Sequence, residues 1–306
     1  MKGLQLLRDT RFWRVFIQAG AVLLILAIVL ALWNNVSQNL LRLGITLGFD
    51  FLNSQASFPV GETVIPYQAS DPYVRAFFVG LLNTLRVSLA GIVLATIAGV
   101  SIGIARLSDN WLLRQLARVY VELLRNMPLL LQLFFWYFAV FLGLPPVETP
   151  IQFMWLSFSK AGILLPGGML LSPEFSTLLL GLSFYTATFI AEIVRGGIQS
   201  VPKGQWEAAR ALGLNSLLMM RLVIFPQALR VIIPPITSQY LNLTKNSTLA
   251  VAIGYPDLYA VASTTFNQTG RSIEVMLILM GVYLTISLGV SLLTNWYNRS
   301  VQIVER

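Results

Sequence analysis

Apolar runs long enough to cross a membrane alternate with short polar segments along most of the chain. An α-helix needs about 20 apolar residues to cross the hydrocarbon core of a bilayer. Six segments reach this length, at about 14–34, 76–106, 118–143, 173–200, 217–243 and 272–297. Tryptophan or tyrosine flanks the first and the last of them, as is typical of side chains at membrane interfaces. The pattern therefore predicts an all-α integral membrane protein with about six transmembrane helices.

The remaining regions are too short or too irregular to span. Residues 250–266 predict a short helix or a re-entrant piece, and residues 35–75 predict a small ordered cap with few charges. Residues 144–172 are rich in proline and end in adjacent glycines, which predicts a loop. In the fifth span, Pro234 and Pro235 each remove a backbone donor, which predicts a broken helix with freed carbonyl groups.

Small residues recur every four positions on two of the predicted spans. Such faces let helix backbones approach closely where lipid offers no hydrophobic driving force between helices. We therefore expect close helix packing at three groups of small residues: Gly80, Thr84 and Ser88; Ala95, Gly99 and Gly103; and Ser183, Ala187 and Ala191.

Composition agrees with this pattern and narrows the possible chemistry. Hydrophobic residues make up 56% of the 306 residues and charged residues only 11%, against about 25% charged in soluble domains. The sequence has no cysteine and no histidine, which excludes disulfides, zinc sites built on these residues and histidine-based catalysis. It also has no GxxxxGK[ST] loop to cradle ATP phosphates.

The net charge of +8 fits membrane topology better than nucleic-acid binding, because the basic residues form no patch. Lysine and arginine are enriched in cytoplasmic loops of membrane proteins. With the N-terminus inside, the outer flanks carry only Arg42, Arg75, Lys160 and Arg271, and most other basic residues fall on the inner flanks. We therefore predict cytoplasmic N- and C-termini and a cytoplasmic loop at about 200–216.

That loop contains a short amphipathic run, KGQWEAARALG, which ends at Gly213. The proline before it suits a helix start, and Gly213 suits the left-handed position that ends a helix. Ala208, Ala209 and Leu212 fall on one side at helical spacing, where small alanines leave room for a partner. Periodicity leaves two interpretations open, namely a helix lying on the lipid surface and a helix that docks on another protein.

The continuation of this run resembles a known motif. EAARALGLNSLLMMRLVIFP has Glu-Ala-Ala, three residues, Gly213 and nine residues before Val223, Phe225 and Pro226. This spacing is similar to the EAA loop of ABC-importer permeases, although Phe225 stands where leucine is usual. In that family the loop is a coupling helix that docks in a groove on the ATP-hydrolysing subunit. The resemblance implies coupling residues Trp206, Glu207, Ala208, Ala209, Arg210, Leu212 and Gly213.

Further motifs narrow the resemblance to amino-acid importers. YVELLRNMPLLLQLFFWYF resembles the Glu-Leu-x-Arg-x-x-Pro-Leu-Leu-x-Gln signature of their permeases, and NLTKNSTLAVAIG resembles a later motif with two hydroxyl residues swapped. The extra first span with GFDFLNSQASF resembles the Q-type permease of general L-amino-acid importers. The resemblance implies a type I ABC importer fold divided into an N-terminal helix (1–34), a periplasmic segment (35–75), a permease core (76–300) and a cytoplasmic tail (301–306).

By resemblance, the chain is a permease subunit for L-amino acids in a bacterial inner membrane. Its implied partners are a second, related permease, two ATPase subunits that bind ATP and Mg²⁺, and a periplasmic amino-acid-binding protein. The resemblance implies no cofactor, catalytic residue or nucleic acid for the chain itself. An ion-coupled secondary transporter and a non-transporting membrane subunit are the alternatives. The former is weakened because no internal repeat is evident.

Ionisable residues inside a membrane are costly and suggest a pathway by default. Arg86 either attracts a substrate carboxylate or snorkels toward the outer headgroups. On the fifth segment, Asn, Ser and Thr could contact both ends of an amino acid, and Lys245 could meet its carboxylate; an outer loop with a helix cap is the alternative. The candidates for the path are Arg86, Tyr240, Asn242, Lys245, Asn246, Ser247 and Thr248.

Two charge pairs lie near the predicted cytoplasmic ends. Glu122 with Arg125 and Glu192 with Arg195 are three residues apart, a spacing that brings side chains together on a helix. Local pairing or a cytoplasmic network is favoured over contact with substrate. Their similarity to the family signatures implies a structural or gating role.

Overall fold

The computed structural model describes residues 10–42 and 48–301. The predicted tail beyond residue 301 lies outside these residues. By its internal contacts the chain divides into two units, Met1–Phe49 and Asp50–Arg306. Within the described residues, five helices are long and apolar enough to cross a membrane, or six if one bent pair counts as a single span. This number agrees with the six predicted spans.

The first unit contains one long helix, α1, from Thr10 to Arg42. Its apolar stretch, Phe16–Leu40, is long enough to cross a bilayer. The side chains described along that stretch are almost all exposed, as expected of a helix that meets lipid all round. The helix continues well beyond the predicted end near residue 34.

The second unit is mostly helical and includes one small sheet. In chain order it contains α2 (Tyr73–Ala105), α3 (Trp111–Arg125), α4 (Leu129–Phe134), β1 (Ile151–Phe153), β2 (Leu156–Ser159), β3 (Gly162–Leu164), β4 (Leu170–Leu171), α5 (Pro173–Gln199), α6 (Lys203–Ala211), α7 (Ser216–Met219), α8 (Phe225–Asn246), α9 (Leu258–Thr269) and α10 (Ser272–Val301).

Helices α2 and α5 form the most extensive contact of the second unit. A Cβ atom added at Gly99 would lie 2.6 Å from Ile190, and one at Gly103 would lie 2.8 Å from the carbonyl oxygen of Ala191. These distances are shorter than ordinary van der Waals contacts, so the two backbones touch where the glycines lie. The predicted close packing of these helices is confirmed.

The third predicted span is not one helix. Helix α3 ends at Arg125, and the next helical segment, Leu129–Phe141, is bent from it by 105°. Pro128 causes the break, because proline lacks a backbone donor and disfavours helical geometry in the residue before it. Gln132 closes the corner by donating hydrogen bonds from Nε2 to the carbonyls of Leu124 at 2.8 Å and Met127 at 3.1 Å.

The fifth predicted span is not broken at its paired prolines. Helix α8 runs through Pro234 and Pro235 without interruption, so the prediction of a break there was wrong. Buried neighbours, Ile232, Ile233 and Ile236, pack this part of the helix into the bundle. Packing therefore holds the helix together where two backbone hydrogen bonds are missing. The departures from α-helix lie on either side, as a π-helical turn at Met220–Ile224 and a 3-10 helix at Ser247–Ile253.

Residues 151–171 form a small sheet where a loop was expected, within an otherwise helical unit. The four strands are antiparallel and lie in sequence order, β1-β2-β3-β4. Ile151 pairs with Phe158, and Ser157 pairs with Leu164. The prolines at 145, 146, 150 and 166 all lie outside the strands, where they remove no ladder hydrogen bond. Pro150 directly precedes β1, and Pro166 lies between β3 and β4. The prolines therefore flank strands and do not indicate a structureless loop.

Residues 50–72 fold against the start of α2 and against α9 and α10. Phe51 and Phe58 pack on Tyr73 at the start of α2, with ring centroids 5.9 and 6.2 Å apart. The hydroxyl of Tyr67 donates to the carbonyl of Phe58 at 3.0 Å. Together with residues of α9 and α10 these aromatic rings form a second hydrophobic core.

A buried carboxyl group begins helix α9. The Oδ1 atom of Asp257 accepts the backbone N–H of Ala260 at 2.8 Å, which is an N-cap. Its Oδ2 atom has no hydrogen-bond partner among the described residues. Burial raises the pKa of Asp257 to about 7, because the charged form loses its hydration.

We expect Gly99→Ala to destabilise the protein by about 1–3 kcal/mol, the usual cost of overpacking. The midpoint of thermal unfolding in detergent micelles measures the effect. Gly281→Ala is the matched control, because nothing lies within 4 Å of a Cβ atom there and alanine favours helix. Equal midpoints for the two variants would show that the α2–α5 contact tolerates a methyl group.

We expect Asp257→Asn to flatten the pH dependence of stability. Below about pH 4 the carboxyl is neutral in both the folded and the unfolded chain, since its pKa in the unfolded chain is 3.8. Between about pH 4 and 7 only the unfolded chain has lost the proton, so the folded state loses stability as pH rises. The unfolding midpoint of the natural protein should therefore fall between about pH 4 and 7, and that of the variant should fall less. Parallel profiles would contradict this assignment.

Candidate functional site

The short amphipathic run forms the predicted helix. Helix α6 covers Lys203–Ala211, and Gly213 follows it with a φ of +74°. The N–H of Gly213 donates to the carbonyl of Arg210 at 2.9 Å, and that of Leu214 donates to Ala209 at 3.2 Å. This left-handed ending favours glycine, because a side chain would be strained there. The expected role of Gly213 as the helix end is confirmed.

The two alanines of α6 do not share one face. Ala209 is only 2% exposed and belongs to the main hydrophobic core with Met219 and Ile224, whereas Ala208 is exposed. The expectation that Ala208, Ala209 and Leu212 form a common partner surface is therefore wrong for Ala209. The reason is that the chain's own core uses the face on which Ala209 lies.

An apolar surface nonetheless remains at the end of α6. Leu212 is 80% exposed and Leu217 is 75% exposed. A separate open cavity of about 350 Å³ lies along α6. Its lining residues are Gln199, Val201, Lys203, Trp206, Glu207 and Arg210. Leucine side chains this exposed on a loop helix are typical of a surface that another protein covers.

Helix α6 is also fixed to the long helix α8. The Nε2 atom of Gln227 donates to Oε1 of Gln205 at 3.1 Å and to the carbonyl of Val223 at 3.0 Å. Trp206 packs against the main core. Helix α6 is therefore joined to the bundle by both a polar and an apolar contact.

A polar cavity of about 260 Å³ lies between α5 and α8. From α8 it is lined by Gln239, Asn242 and Asn246. Two of these, Asn242 and Asn246, are predicted path residues. Amide side chains carry both donors and acceptors, so this cavity can bind groups of either polarity.

The facing wall of this cavity was missed by the sequence interpretation. It consists of Tyr185, Thr186 and Phe189 on α5. The available signal was YTATF, a run of polar side chains inside an otherwise apolar span. Only the packing of α5 against α8 shows that these residues oppose the asparagines.

The other five predicted path residues, Arg86 among them, lie outside the lining of this cavity. The hydroxyl of Tyr240 is 2.8 Å from that of Thr96 on α2. Ser247 is fully buried and donates to the carbonyl of Thr244, and Thr248 donates to that of Lys245. The Lys245 side chain is exposed. The hydroxyl bonds hold the end of α8 in shape.

Arg86 is paired with a carboxylate of the same chain. Its NH1 atom donates to Oε1 of Glu62 at 2.5 Å, and its guanidinium lies 4.1 Å from the centre of the Phe175 ring. The hydroxyl of Ser172 donates to the other oxygen of Glu62 at 2.5 Å. Neither of the two alternatives considered for Arg86 includes this partner, which comes from residues 50–72.

The predicted charge pairs are half confirmed. Glu192 accepts two hydrogen bonds from Arg195, at 3.0 and 2.9 Å, and also contacts Arg106. Glu122, by contrast, pairs with Arg118 at 2.7 Å.

The guanidinium of Arg125 lies 5.3 Å from the ring centre of Phe189, so its predicted pairing with Glu122 was wrong. Glu122 has one helical partner on each side, and it pairs with the one four residues earlier.

Comparisons with known proteins agree with this architecture. Residues 91–303 match the family of the binding-protein-dependent transport system inner membrane component. The chain is 44% identical to the putative amino-acid ABC transporter permease protein YhdX of Escherichia coli (strain K12), over 94% of each chain. It is 40% identical to the general L-amino acid transport system permease protein AapQ of Rhizobium johnstonii, over 97% of this chain and 94% of that one.

Solved structures show the same fold. A chain of an amino acid ABC transporter crystallised with histidines superposes with a TM-score of 0.60 at 28% identity, covering 74% of this chain and 95% of that one. The MetNI methionine ABC transporter superposes with a TM-score of 0.58 at 18% identity, covering 75% and 97%, and shows the fold alone. The relatives are permeases and not themselves enzymes. The chain belongs to the family of binding-protein-dependent inner-membrane transport components, as a permease subunit of an ABC amino-acid importer.

Proposed function

We propose that α6 is the coupling helix through which ATPase subunits move this permease. The observation that carries the proposal is the exposure of Leu212, directly after α6, and of Leu217, on α7, next to a helix that is itself anchored in the core. Burial of exposed leucines against a partner is favourable by about 1.5–3 kcal/mol each. Orientation with cytoplasmic termini, inferred from the basic residues, would put α6 where ATP is available.

The complex would contain two ATPase subunits, a second permease and a periplasmic amino-acid-binding protein. Two permeases of Escherichia coli O6:H1 support a second, different chain. This chain is 33% identical to the glutamate/aspartate import permease protein GltJ and 30% identical to GltK. ATP and Mg²⁺ would be held by the ATPase subunits. The chain would be a multi-pass protein of a bacterial inner membrane.

The polar cavity between α5 and α8 would contact the amino acid on its way through the membrane. Asn242 and Asn246 offer amide oxygens for an ammonium group and N–H groups for a carboxylate. Tyr185 and Phe189 close the opposite side with aromatic rings. The exposed Lys245 lies on the same helix and could meet a carboxylate nearer the outer end.

Transport would alternate between two states of the permease pair. ATP binding would close the ATPase subunits, pull the coupling helices together and open the path outward. Hydrolysis would then return the path to its inward-open state. Each state is selected because ATP and the binding protein bind one of them more tightly.

The substrates would be L-amino acids of several kinds. Relatives include permeases named for general L-amino acids and for glutamate, glutamine, aspartate and asparagine. Reconstitution of the whole complex in vesicles tests this directly. Uptake should require ATP on the ATPase side and survive an ionophore, whereas uptake that is independent of ATP would reject the proposal.

We expect Gly213→Asp to abolish uptake while the protein still inserts in the membrane. The new side chain would be strained at a φ of +74°, and its charge would face the ATPase groove. Gly168→Asp is the matched control, since it makes the same change at a φ of +85° in open space, within the sheet region. Uptake by the Gly213 variant at the rate of the control would refute the coupling role.

We expect Asn242→Ala and Asn246→Ala each to lower the uptake rate about tenfold. The reason is that a hydrogen bond to a charged group contributes about 1.5–3 kcal/mol. Ser238→Ala serves as the control, because Ser238 lies on α8 but outside the cavity lining. Initial rates of radiolabelled amino-acid uptake, normalised to assembled complex, measure the effect. Rates equal to the Ser238 variant would place the path elsewhere.

A further inference from the structure

A bound carboxylate already lies between α2 and the start of α5, and it belongs to the chain itself. Glu62 presents one oxygen to Arg86 and the other to the hydroxyl of Ser172, each at 2.5 Å. Two donors from two different helices thus converge on one carboxylate. That arrangement is the usual form of a carboxylate-binding site.

The donors are held in place by their own contacts. The Phe175 ring lies against the guanidinium of Arg86 at 4.1 Å, which restricts its position. Ser172 caps α5, where its Oγ atom accepts the N–H of Phe175 at 3.0 Å. The positive end of the α5 dipole therefore faces the same carboxylate.

Acceptors lie beside these donors. An open cavity of about 220 Å³ adjoins Glu62, with a lining that also includes Ser172, Glu174 and Gly254. Glu174 is positioned by the hydroxyl of Tyr137, which donates to its Oε1 atom at 2.9 Å. A cation with a carboxylate acceptor nearby matches the two charged ends of an amino acid.

We propose that Arg86 and Ser172 form an entrance site for the carboxylate of an amino acid, and that Glu62 occupies this site as an internal substitute when no amino acid is present. This inference rests on the proposed function, because it assumes an amino acid arriving from the outer side. The Glu62 contact also has a second effect. While its side chain bridges Arg86 and Ser172, α2 is tied to the start of α5.

Glu62 can leave without unfolding its segment. Its backbone carbonyl accepts a hydrogen bond from Nδ2 of Asn83 at 2.8 Å, independently of the side chain. The preceding residues are held by the aromatic core around Phe58 and Tyr73. The paired side chains of Arg86 and Glu62 are 31% and 19% exposed, so water and a solute can reach them. Exchange therefore needs only a side-chain rotation.

We expect Glu62→Gln to raise ATP hydrolysis in the absence of amino acid by about fivefold, the ratio that corresponds to a partly exposed ion pair. The measurement uses the complete complex, with ATPases, second permease and binding protein, in vesicles. Without the ion pair, less free energy is needed to reach the outward-open state, in which the ATPase subunits are closed. Glu148→Gln removes the same charge from an exposed position in the segment before β1 and should leave hydrolysis unchanged. Equal rates of ATP hydrolysis in both variants would overturn the proposal that Glu62 ties α2 to α5 when no amino acid is bound.

The double exchange Glu62→Arg with Arg86→Glu separates the entrance site from a purely structural ion pair. The pair is restored with reversed charges, so hydrolysis without amino acid should return to the natural level. Uptake should stay at least tenfold below that of the natural protein, because the fixed cation above Phe175 is gone. Recovery of full uptake would show that the pair only holds the fold and would overturn the entrance site.

A cross-link tests, independently of charge, whether the side chain at position 62 must leave position 172 during transport. The chain has no cysteine of its own, so Glu62→Cys with Ser172→Cys introduces its only thiols. Bridging them with a short bis-thiosulfonate should stop uptake, and a reductant should restore the rate of the unbridged variant. Unchanged uptake in bridged protein would overturn the proposal. Failure of the natural complex to take up any amino acid with ATP would instead reject the proposed function itself.

Discussion

The close contact between α2 and α5 determines where everything else in the second unit can lie. Lipid gives no hydrophobic drive for two apolar helices to associate, so they must gain contact area by approaching closely. Gly99 and Gly103 permit this, since their missing side chains leave room for Ile190 and Val194. Helix α5 then presents Ser172 at one end, the cavity wall at its middle and Glu192 near the other end. One packed surface thus positions all three of these regions.

Much of this architecture could be predicted from the sequence, and the failures have physical causes. Helical spans and the end of α6 at Gly213 follow from local properties, namely apolar length and the left-handed preference of glycine. The bend after α3 and the continuity of α8 depend on what surrounds each proline. Pro128 lies at a corner closed by Gln132, whereas Pro234 and Pro235 lie in a helix that its neighbours hold straight. The strands between 151 and 171 are too short to give a periodic signal.

The candidate site likewise contains some residues that the sequence predicts and others that only the fold reveals. Asn242 and Asn246 were found because polar side chains in an apolar span are conspicuous. Thr186 belongs to the same cavity, yet its role depends on which face of α5 meets α8. The partner of Arg86 comes from a segment outside the helices, so no helical spacing predicts Glu62. Burial of Ala209 likewise depends on the chain's own core and not on the pattern within α6.

The hydrogen bond between Gln205 and Gln227 joins α6 to α8, so a movement of α6 would be transmitted to α8. Because α8 is continuous through its prolines, Gln227 and Asn242 belong to one helix and lie about 22 Å apart along its axis, at about 1.5 Å per residue. A tilt of about 10° imposed near Gln227 would displace Asn242 sideways by about 4 Å on that length. A small rotation at the loop helix is thereby converted into a shift comparable to the width of an amino-acid side chain. Had the prolines broken α8, the same rotation would have been absorbed at the break.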